Sequence, residues 1–412
     1  MKISELSIHN FRGIPDMNLF PDQHINLIVG VNGAGKSTVL DAISCLLSWY
    51  IARINNPKGN GNVISLDDIH HHTDFCEISI KTDISGRWSL LRKRPYNKTD
   101  KGSKSDFTDM MEYIRGIRSN LDETQQLCSI PVMAHYQVNR SVTNIPLKVR
   151  KHKRFDVLDT YENALDGVQG FRRFFEWYRE REDLENEGFR YNESHTEDMQ
   201  LKAVRSALTS FFPEYTHVRI QRNPLAMVLE KKGEKFNIAQ LSDGEKCYIS
   251  LVSDLSRRLA IANPTLNNPL EGEGIVLIDE IELHLHPQWQ MEVIAKLKKT
   301  FPNCQFFITT HSPHVVSDIK KEQLVLINEG QKVSIGLNTY GKLVNDILTD
   351  YFGIRSPRSL EVQVQMDEAK SLLLNNEVGA FEEKMKWLEK SLGKGDIDVV
   401  ALKLEAARRN QE

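Results

Sequence analysis

Two short stretches hold residue types that together could bind and cleave a nucleoside triphosphate. Gly30 to Thr38 reads GVNGAGKST, preceded by the apolar residues Ile25, Leu27, Ile28 and Val29 and followed by the amphipathic run Val39 to Trp49. Strand, glycine-rich loop and helix are the surroundings a phosphate-binding loop requires. Gly30, Gly33 and Gly35 let the backbone turn tightly and approach phosphates, so that the N–H groups from Asn32 to Ser37 form an anion nest at a helix N-terminus. The nucleotide-binding positions are Asn32, Gly33, Ala34, Gly35, Lys36, Ser37 and Thr38, with Lys36 lying along the β- and γ-phosphates and the Ser37 hydroxyl offered to Mg²⁺. The second stretch, Gly274 to Glu280, reads GIVLIDE: a buried strand ending in two carboxylates. Asp279 is placed to hold Mg²⁺ and Glu280 to orient and deprotonate the attacking water. Adjacent carboxylates at the end of an apolar strand are costly without a metal, which favours a catalytic over a structural reading. A further apolar run, Cys304 to Thr310, delivers His311, which can hydrogen-bond a γ-phosphate oxygen and report whether the nucleotide is cleaved.

Other residues carry weaker signals. Arg12, in the turn Asn10-Phe11-Arg12-Gly13, is either a nucleotide contact or a solvated turn arginine. Gln137 closes the short apolar strand Pro131 to Val138, where it can reach Mg²⁺ or the attacking water. Ser242 and Gly244, in the run Leu241-Ser242-Asp243-Gly244-Glu245-Lys246 ahead of a helical pattern, make a second small anion-binding site or an ordinary N-cap. The run Asp67, Asp68, His70, His71, His72, Asp74 is not a metal site, since consecutive histidines on an extended segment point to opposite faces and no second cluster completes one. Two basic stretches, residues 87–104 and Lys148 to Arg154, are solvated loops or contacts to a phosphate backbone.

The elements that must position these groups follow from the pattern. Apolar alternation at Ile3, Leu6 and Ile8 and again at Ile25, Leu27 and Val29 predicts two strands entering the loop, and Cys76 to Ile84 with Trp88 to Leu91 predicts a strand hairpin. Residues 156–212 are helical in pattern, with Phe171, Phe174, Phe175 and Tyr178 as a core-facing stripe, and strands are expected near Val218 to Ile220 and Ala226 to Glu230. Residues 340–412 are also helical, with Leu372 to Leu374, Phe381, Met385, Leu388 and Leu392 on one face, which expects either packing on the core or a docking surface. A net charge of -3 leaves any nucleic-acid contact to a local patch, and five cysteines without a C-x-x-C pair exclude a disulfide framework and a zinc ribbon. No signal peptide or run long enough to span a bilayer is evident, so a cytoplasmic protein is expected.

In this order the motifs resemble the ATP-binding-cassette (ABC) ATPases of the chromosome-organising and DNA-repair branch. Gly30 to Ser37 resembles the Walker A loop, Leu241 to Glu245 the signature, Ile275 to Glu280 Walker B, Glu282 to His284 the D-loop, and His311 the switch histidine; Asp243 departs from the usual glycine. Without a long coiled coil, the chain resembles the compact defence ATPases: the PtuA-type ATPases of Septu and retron systems and the OLD family. The resemblance implies an α/β fold, an ABC ATPase head with a P-loop NTPase sheet, an antiparallel accessory sheet, an inserted helical subdomain and a C-terminal helical tail. The expected division is an ATPase lobe over 1–145, a helical insertion with accessory strands over 146–235, a second ATPase lobe over 236–340, and a tail over 341–412. The implied activity is hydrolysis of ATP with Mg²⁺ by a head-to-tail dimer in which Ser242 and Gly244 of one protomer close over the nucleotide of the other. It would control a DNA-directed complex, most readily anti-phage defence with a nuclease on another chain. Rival expectations are a RecF-like repair ATPase, a transporter nucleotide-binding subunit, and a self-contained nuclease. The last would need a Toprim domain, for which Leu324 to Gly330 offers only a strand and Glu329, read here as a turn residue.

Overall fold

The computed structural model describes residues 1–95, 104–125, 127–138, 155–167, 171–191, 197–333, 340–352 and 358–409. The chain divides into two compact units, residues 1–344 and 345–412.

In chain order the first unit contains β1 (Ile3–Phe11), β2 (Ile14–Leu19), β3 (Ile25–Val29), α1 (Lys36–Asn55), β4 (Phe75–Thr82), β5 (Arg87–Lys93), α2 (Thr108–Glu123) and β6 (Val132–Tyr136). The inserted part follows with α3 (Phe171–Tyr191), α4 (Met199–Phe211), β7 (Tyr215–Arg222), β8 (Leu225–Lys231) and β9 (Glu234–Asn237). The unit then closes with α5 (Asp243–Ala262), β10 (Gly274–Ile278), α6 (Pro287–Thr300), β11 (Cys304–Thr310), α7 (Pro313–Val316), β12 (Leu324–Asn328) and β13 (Gln331–Val333).

The central sheet runs β13-β12-β3-β11-β10-β6, parallel throughout except for β13. Strands buried on both faces need uninterrupted apolar runs, and INLIV, GIVLI and CQFFITT are buried at every position. An antiparallel sheet, β2-β1-β4-β5, lies on the other side of α1. The expected strand hairpin is β4–β5, whereas β2 and α2 lacked a periodicity strong enough to announce them.

Helix α1 is long and apolar enough to cross a membrane, contrary to the expectation that no stretch would be. It is instead a core helix: Val39, Leu40, Ile43, Leu46, Leu47 and Tyr50 are fully buried between the two sheets.

The predicted aromatic stripe is core. Phe171, Phe174, Phe175 and Tyr178 are buried on α3, and the Tyr178 hydroxyl donates to the Val218 carbonyl at 2.8 Å. Beneath the insertion, α5 carries a buried charge cluster. Asp254 takes Arg257 at 2.8 Å, Arg258 at 2.7 Å and the Tyr136 hydroxyl at 3.0 Å. Arg258 also donates to the carbonyls of Thr160 and Glu162, so one cluster joins the end of β6, the 3₁₀ turn over Val157–Tyr161 and α5. Burial alone would raise the Asp254 pKa, yet the two guanidinium groups hold it well below the ordinary carboxylate range.

β12 pairs in parallel with β3, and the chain reverses through Glu329 (φ 47°) and Gly330 (φ 72°) into β13. Glu329 is therefore a turn residue, and its strand belongs to the ATPase sheet rather than to a separate nuclease domain.

The second unit contains α8 (Val344–Phe352), which begins at the boundary, α9 (Leu360–Leu374), α10 (Val378–Leu392) and α11 (Ile397–Arg409). Phe381, Met385 and Leu388 are buried with Met366, Ala369, Val399 and Leu402. The apolar stripe of the tail thus fills an interior of its own. Of the stripe expected to pack on the core or to form a docking surface, Leu372, Leu373 and Leu392 also pack on this cluster, while Leu374 is exposed.

Candidate functional site

In a parallel sheet all strands deliver their C-terminal ends to one edge, where ligands of open α/β sheets bind. The register sets Ile278 level with Tyr136 and with Ile308, and Val29 level with Thr310, two residues further along β11. Gln137 and Asp279 therefore emerge side by side, as do Gly30 and His311 further out, all at the same edge.

The loop after β3 has the strained geometry that glycine permits. Gly33 and Gly35 take φ 79° and 105°, a region costly to other residues. At Gly30 a Cβ would lie 2.2 Å from the Ile327 carbonyl oxygen, so that position is closed to any side chain. The Gly330 amide donates to the Ala34 carbonyl at 3.1 Å, and the β12–β13 turn thereby braces the loop. Gly35 caps α1 with no side-chain hydrogen bond, leaving the first N–H groups of that helix for an anion. Asn32 and Gly33 are exposed at the loop tip, Ala34 is buried, and Thr38 is half-buried on the first turn of α1.

Lys36 is buried, its ammonium donating to the Gly30 and Val31 carbonyls at 3.0 Å each. Burial lowers its pKa against the opposing fields of Glu280, Asp279 and Glu282. The Ser37 hydroxyl stands 3.2 and 3.1 Å from the two Asp279 oxygens. A hydroxyl and a carboxylate meeting beside a phosphate nest fit a small oxygen-preferring cation such as Mg²⁺.

Thr309, fully buried at the end of β11, was not singled out by the sequence. Its hydroxyl donates to Asp279 and accepts the Glu280 amide, the latter at 2.8 Å. Two threonines ending an otherwise apolar buried strand were the available signal. Glu280 itself adopts φ 46°, a conformation that a non-glycine residue holds only when its surroundings enforce it. Glu282 accepts the Thr310 hydroxyl at 2.7 Å and the His311 amide at 2.5 Å, tying the segment after β10 to that after β11. Burial and the Lys36 ammonium lower the His311 pKa, with Glu282, Glu280 and Asp279 opposing.

Ser242 and Gly244 open α5. Ser242 caps the helix in a reciprocal box with Glu245, its hydroxyl donating to the carboxylate at 2.7 Å and accepting the Glu245 amide at 3.3 Å. Glu245 also takes Lys231 at 2.6 Å and the Tyr215 hydroxyl. Burial would raise this carboxyl, but these donors push it down to about 2. A Cβ on Gly244 would lie 2.1 Å from the His284 carbonyl oxygen, so the backbone after Glu282 packs directly on the start of α5. No hydrogen bond among the described residues joins Ser242 or Gly244 to the phosphate loop of the same chain.

Arg12 is held by Asp41 at 2.5 Å and Asp68 at 2.8 Å, so its guanidinium is already engaged. Gln137 lies level with Asp279 across the sheet and packs against Gly167, where a Cβ would be 2.3 Å from its side chain. His70 turns its Nδ1 to the Arg12 carbonyl at 2.6 Å, and no cluster of metal-ligating side chains exists among the described residues. In the first basic stretch, Arg87 bonds the Ser79 hydroxyl and Arg94 the Thr73 and Ile69 carbonyls. These two are braces within the fold. Lys98, Lys101 and the second stretch, Lys148 to Arg154, lie outside the described residues, as does the expected boundary at 145/146.

A family model described as "AAA domain, putative AbiEii toxin, Type IV TA system" matches residues 25–317. The retron Vc95 probable ATPase of Vibrio cholerae serotype O1 biovar El Tor is 32% identical over 90% of this chain and 84% of its own. The retron Ec83 probable ATPase of Escherichia coli is 28% identical over 99% of this chain and 87% of its own. The Septu protein PtuA of Bacillus thuringiensis is 25% identical over 92% and 91%, respectively.

Proposed function

The chain belongs to this AAA-domain ATPase family, and we propose that it is a cytoplasmic switch subunit that dimerises around ATP and controls a DNA-directed anti-phage complex whose nuclease is a separate protein. The observation that carries the reading is the meeting of Ser37 with Asp279 at 3.1 Å beside a glycine-lined helix start that lacks a side-chain cap. The retron and Septu relatives support the defence setting.

In this reading the uncapped N–H groups of α1 bind the phosphates, and Lys36 leaves its two carbonyl partners to neutralise the β- and γ-phosphate oxygens. Ser37 and Asp279, with Gln137 level beside them, would hold Mg²⁺, which supplies charge neutralisation on the β- and γ-oxygens when bound. Glu280, oriented through Thr309, accepts the proton of the attacking water. His311 faces the γ-phosphate and is fixed in place through Glu282. Among the described residues Ser242 and Gly244 make no hydrogen bond to their own phosphate loop, which leaves the start of α5 for a neighbouring protomer.

Mixing Lys36→Ala with Ser242→Arg tests this arrangement. Each variant alone should be inactive, while the mixed dimer regains one composite site with an intact loop from one chain and an intact signature from the other. Activity of Ser242→Arg as an isolated chain would refute the shared site.

A further inference from the structure

At the opposite end of the parallel sheet, three lysines and an exposed aromatic ring converge on a groove of about 430 Å³. Lys298 and Lys299 come from the last turn of α6, Lys320 precedes the 3₁₀ turn that leads into β12, and Tyr340 arrives from the chain beyond β13. The Gly341 amide bonds the Ser317 carbonyl at 3.0 Å, fixing Tyr340 in the groove wall near Asp318. β12 begins here and pairs in parallel with β3, whose far end feeds the phosphate loop. A strand length, roughly 15 Å, therefore separates the two places.

Lysines in a helix's last turn complement its dipole, and that accounts for Lys298 and Lys299. It does not account for Lys320 or for Tyr340, which is 63% exposed and comes from a different segment. Neighbouring Lys296 shows what a structural lysine does here: it pairs with Glu292 at 3.0 Å and donates to the Phe211 carbonyl at 2.9 Å. Among the described residues, no hydrogen bond or ion pair engages the ammonium groups of Lys298, Lys299 or Lys320. Asp318 is the one carboxylate in the lining, close enough to Lys298 to feel its charge.

We propose that this groove binds a single-stranded stretch of nucleic acid, with phosphates held by Lys298, Lys299 and Lys320 and one unpaired base stacked on Tyr340. A ring stacks on a base only when that base is free of a duplex, and such stacking tolerates any sequence. Flexible ammonium groups suit phosphates as point charges rather than as bidentate readers. Asp318 repels carboxylate and phosphate alike, but it can accept from the exocyclic amino group of a nucleobase stacked on Tyr340. A concave groove of this volume also fits a nucleotide unit better than it fits a membrane surface. The proposal does not depend on the reading of the ATP site.

The test is fluorescence anisotropy of a labelled short oligodeoxycytidine with the full chain, without nucleotide, over a salt series. Lys298→Ala/Lys299→Ala/Lys320→Ala should weaken binding and flatten the slope of log K against log salt by about 2, since each phosphate contact on a single strand contributes roughly 0.7. Tyr340→Ala should weaken it about 5-fold or more, Tyr340→Phe should restore it, and neither should alter binding of a duplex. Lys36→Ala should bind the oligonucleotide like the parent, which separates this site from the nucleotide site. ATP hydrolysis by the triple variant at the parental rate shows that it has folded. No binding by the parent, or a salt slope unchanged in the triple variant, would overturn the proposal. So would a triple variant that loses polyglutamate binding equally while Tyr340→Ala changes nothing, an outcome that assigns the groove to an acidic polypeptide.

Discussion

The Glu282 carboxylate accepts the backbone N–H of His311 at 2.5 Å and the hydroxyl of Thr310 at 2.7 Å. One side chain thus fixes the segment that carries His311 relative to the segment that carries Asp279 and Glu280. Glu282→Gln replaces an acceptor-only group by one that must present a donor to one of these partners. Losing a charge-assisted hydrogen bond costs about 1.5–3 kcal/mol. Turnover should fall roughly 10- to 100-fold if that loss is felt in the transition state, with ATP affinity little changed. Glu282 also opposes the lowering of the His311 pKa, so the substitution should move the His311 titration, followed by NMR, to lower pH, and Lys36→Met should move it up. A wild-type rate together with an unmoved titration would refute the linkage.

Gly244 is required by its neighbour. An alanine Cβ would stand 2.1 Å from the His284 carbonyl oxygen, so either the His284 backbone or the start of α5 must shift. Overpacking of this kind costs about 1–3 kcal/mol. Gly244→Ala should lower the melting temperature and the ATPase rate together. Asp243→Gly should stay within about 1 kcal/mol of the parent, because the Asp243 side chain is exposed and, among the described residues, bonds only Lys246, at 3.3 Å. Equal thermal shifts for the two variants would show that the close approach carries no weight.

These two sites show where the sequence was legible. The placing of the glycine-rich loop, the Asp279–Glu280 pair and His311 could be read because each is a short motif that follows an apolar run, and a parallel sheet sends all their strands to one edge. The two threonines ending β11 hinted at a polar role, but the partners of Thr309, like the double role of Glu282, depend on which strands are neighbours. Apolar burial marks β3, β10 and β11 without ordering them. The tail stripe was visible at Phe381, Met385 and Leu388, but its partners Val399 and Leu402 lie on another helix, and periodicity cannot say which face meets which. Arg12 and Arg94 looked available as cations because their partners, Asp41 and Asp68 for one and two carbonyls for the other, are distant in sequence or belong to the backbone.

Glu245 makes stability depend on pH at the acid end. Its carboxyl titrates near 4.5 in an unfolded chain and is pushed down to about 2 in the fold. A depressed carboxylate contributes stability that is full above the unfolded value and lost as pH falls through the folded one. Urea midpoints of the parent should therefore drop between about pH 4.5 and 2, and the drop should be smaller in Glu245→Gln. Parallel pH profiles for the two proteins would mean that Lys231, Tyr215 and Ser242 do not favour the ionised form.

Asp254 balances two buried guanidinium groups. Asp254→Ala leaves Arg257 and Arg258 without their counter-charge, a change that costs about 3–5 kcal/mol where a buried pair is broken. Because Arg258 also reaches the Thr160 and Glu162 carbonyls, hydrogen exchange should rise over residues 157–162 as well as along α5. Exchange that rises in α5 alone would show that the cluster does not tie in the 3₁₀ turn.

Glu280→Gln tests the switch. The substitution keeps the shape of the site, the Asp279 carboxylate beside Ser37 and the Glu280 amide bond to Thr309 at 2.8 Å, and removes only the group proposed to take the proton from water. Loss of a general base costs about 10²–10⁴ in rate. ATP should still bind, since the loop, Lys36 and Ser37 are untouched. If the closed dimer opens only after cleavage, it must then accumulate, and light scattering should show the mass doubling on addition of ATP with Mg²⁺. Lys36→Ala, which lacks the charge that balances the phosphates, should neither bind ATP nor change mass. Ser242→Arg should bind ATP and stay monomeric, because its helix start can no longer receive a second γ-phosphate. A Glu280→Gln protein that binds ATP at unchanged mass would reject nucleotide-driven dimerisation while leaving the nucleotide site itself in place.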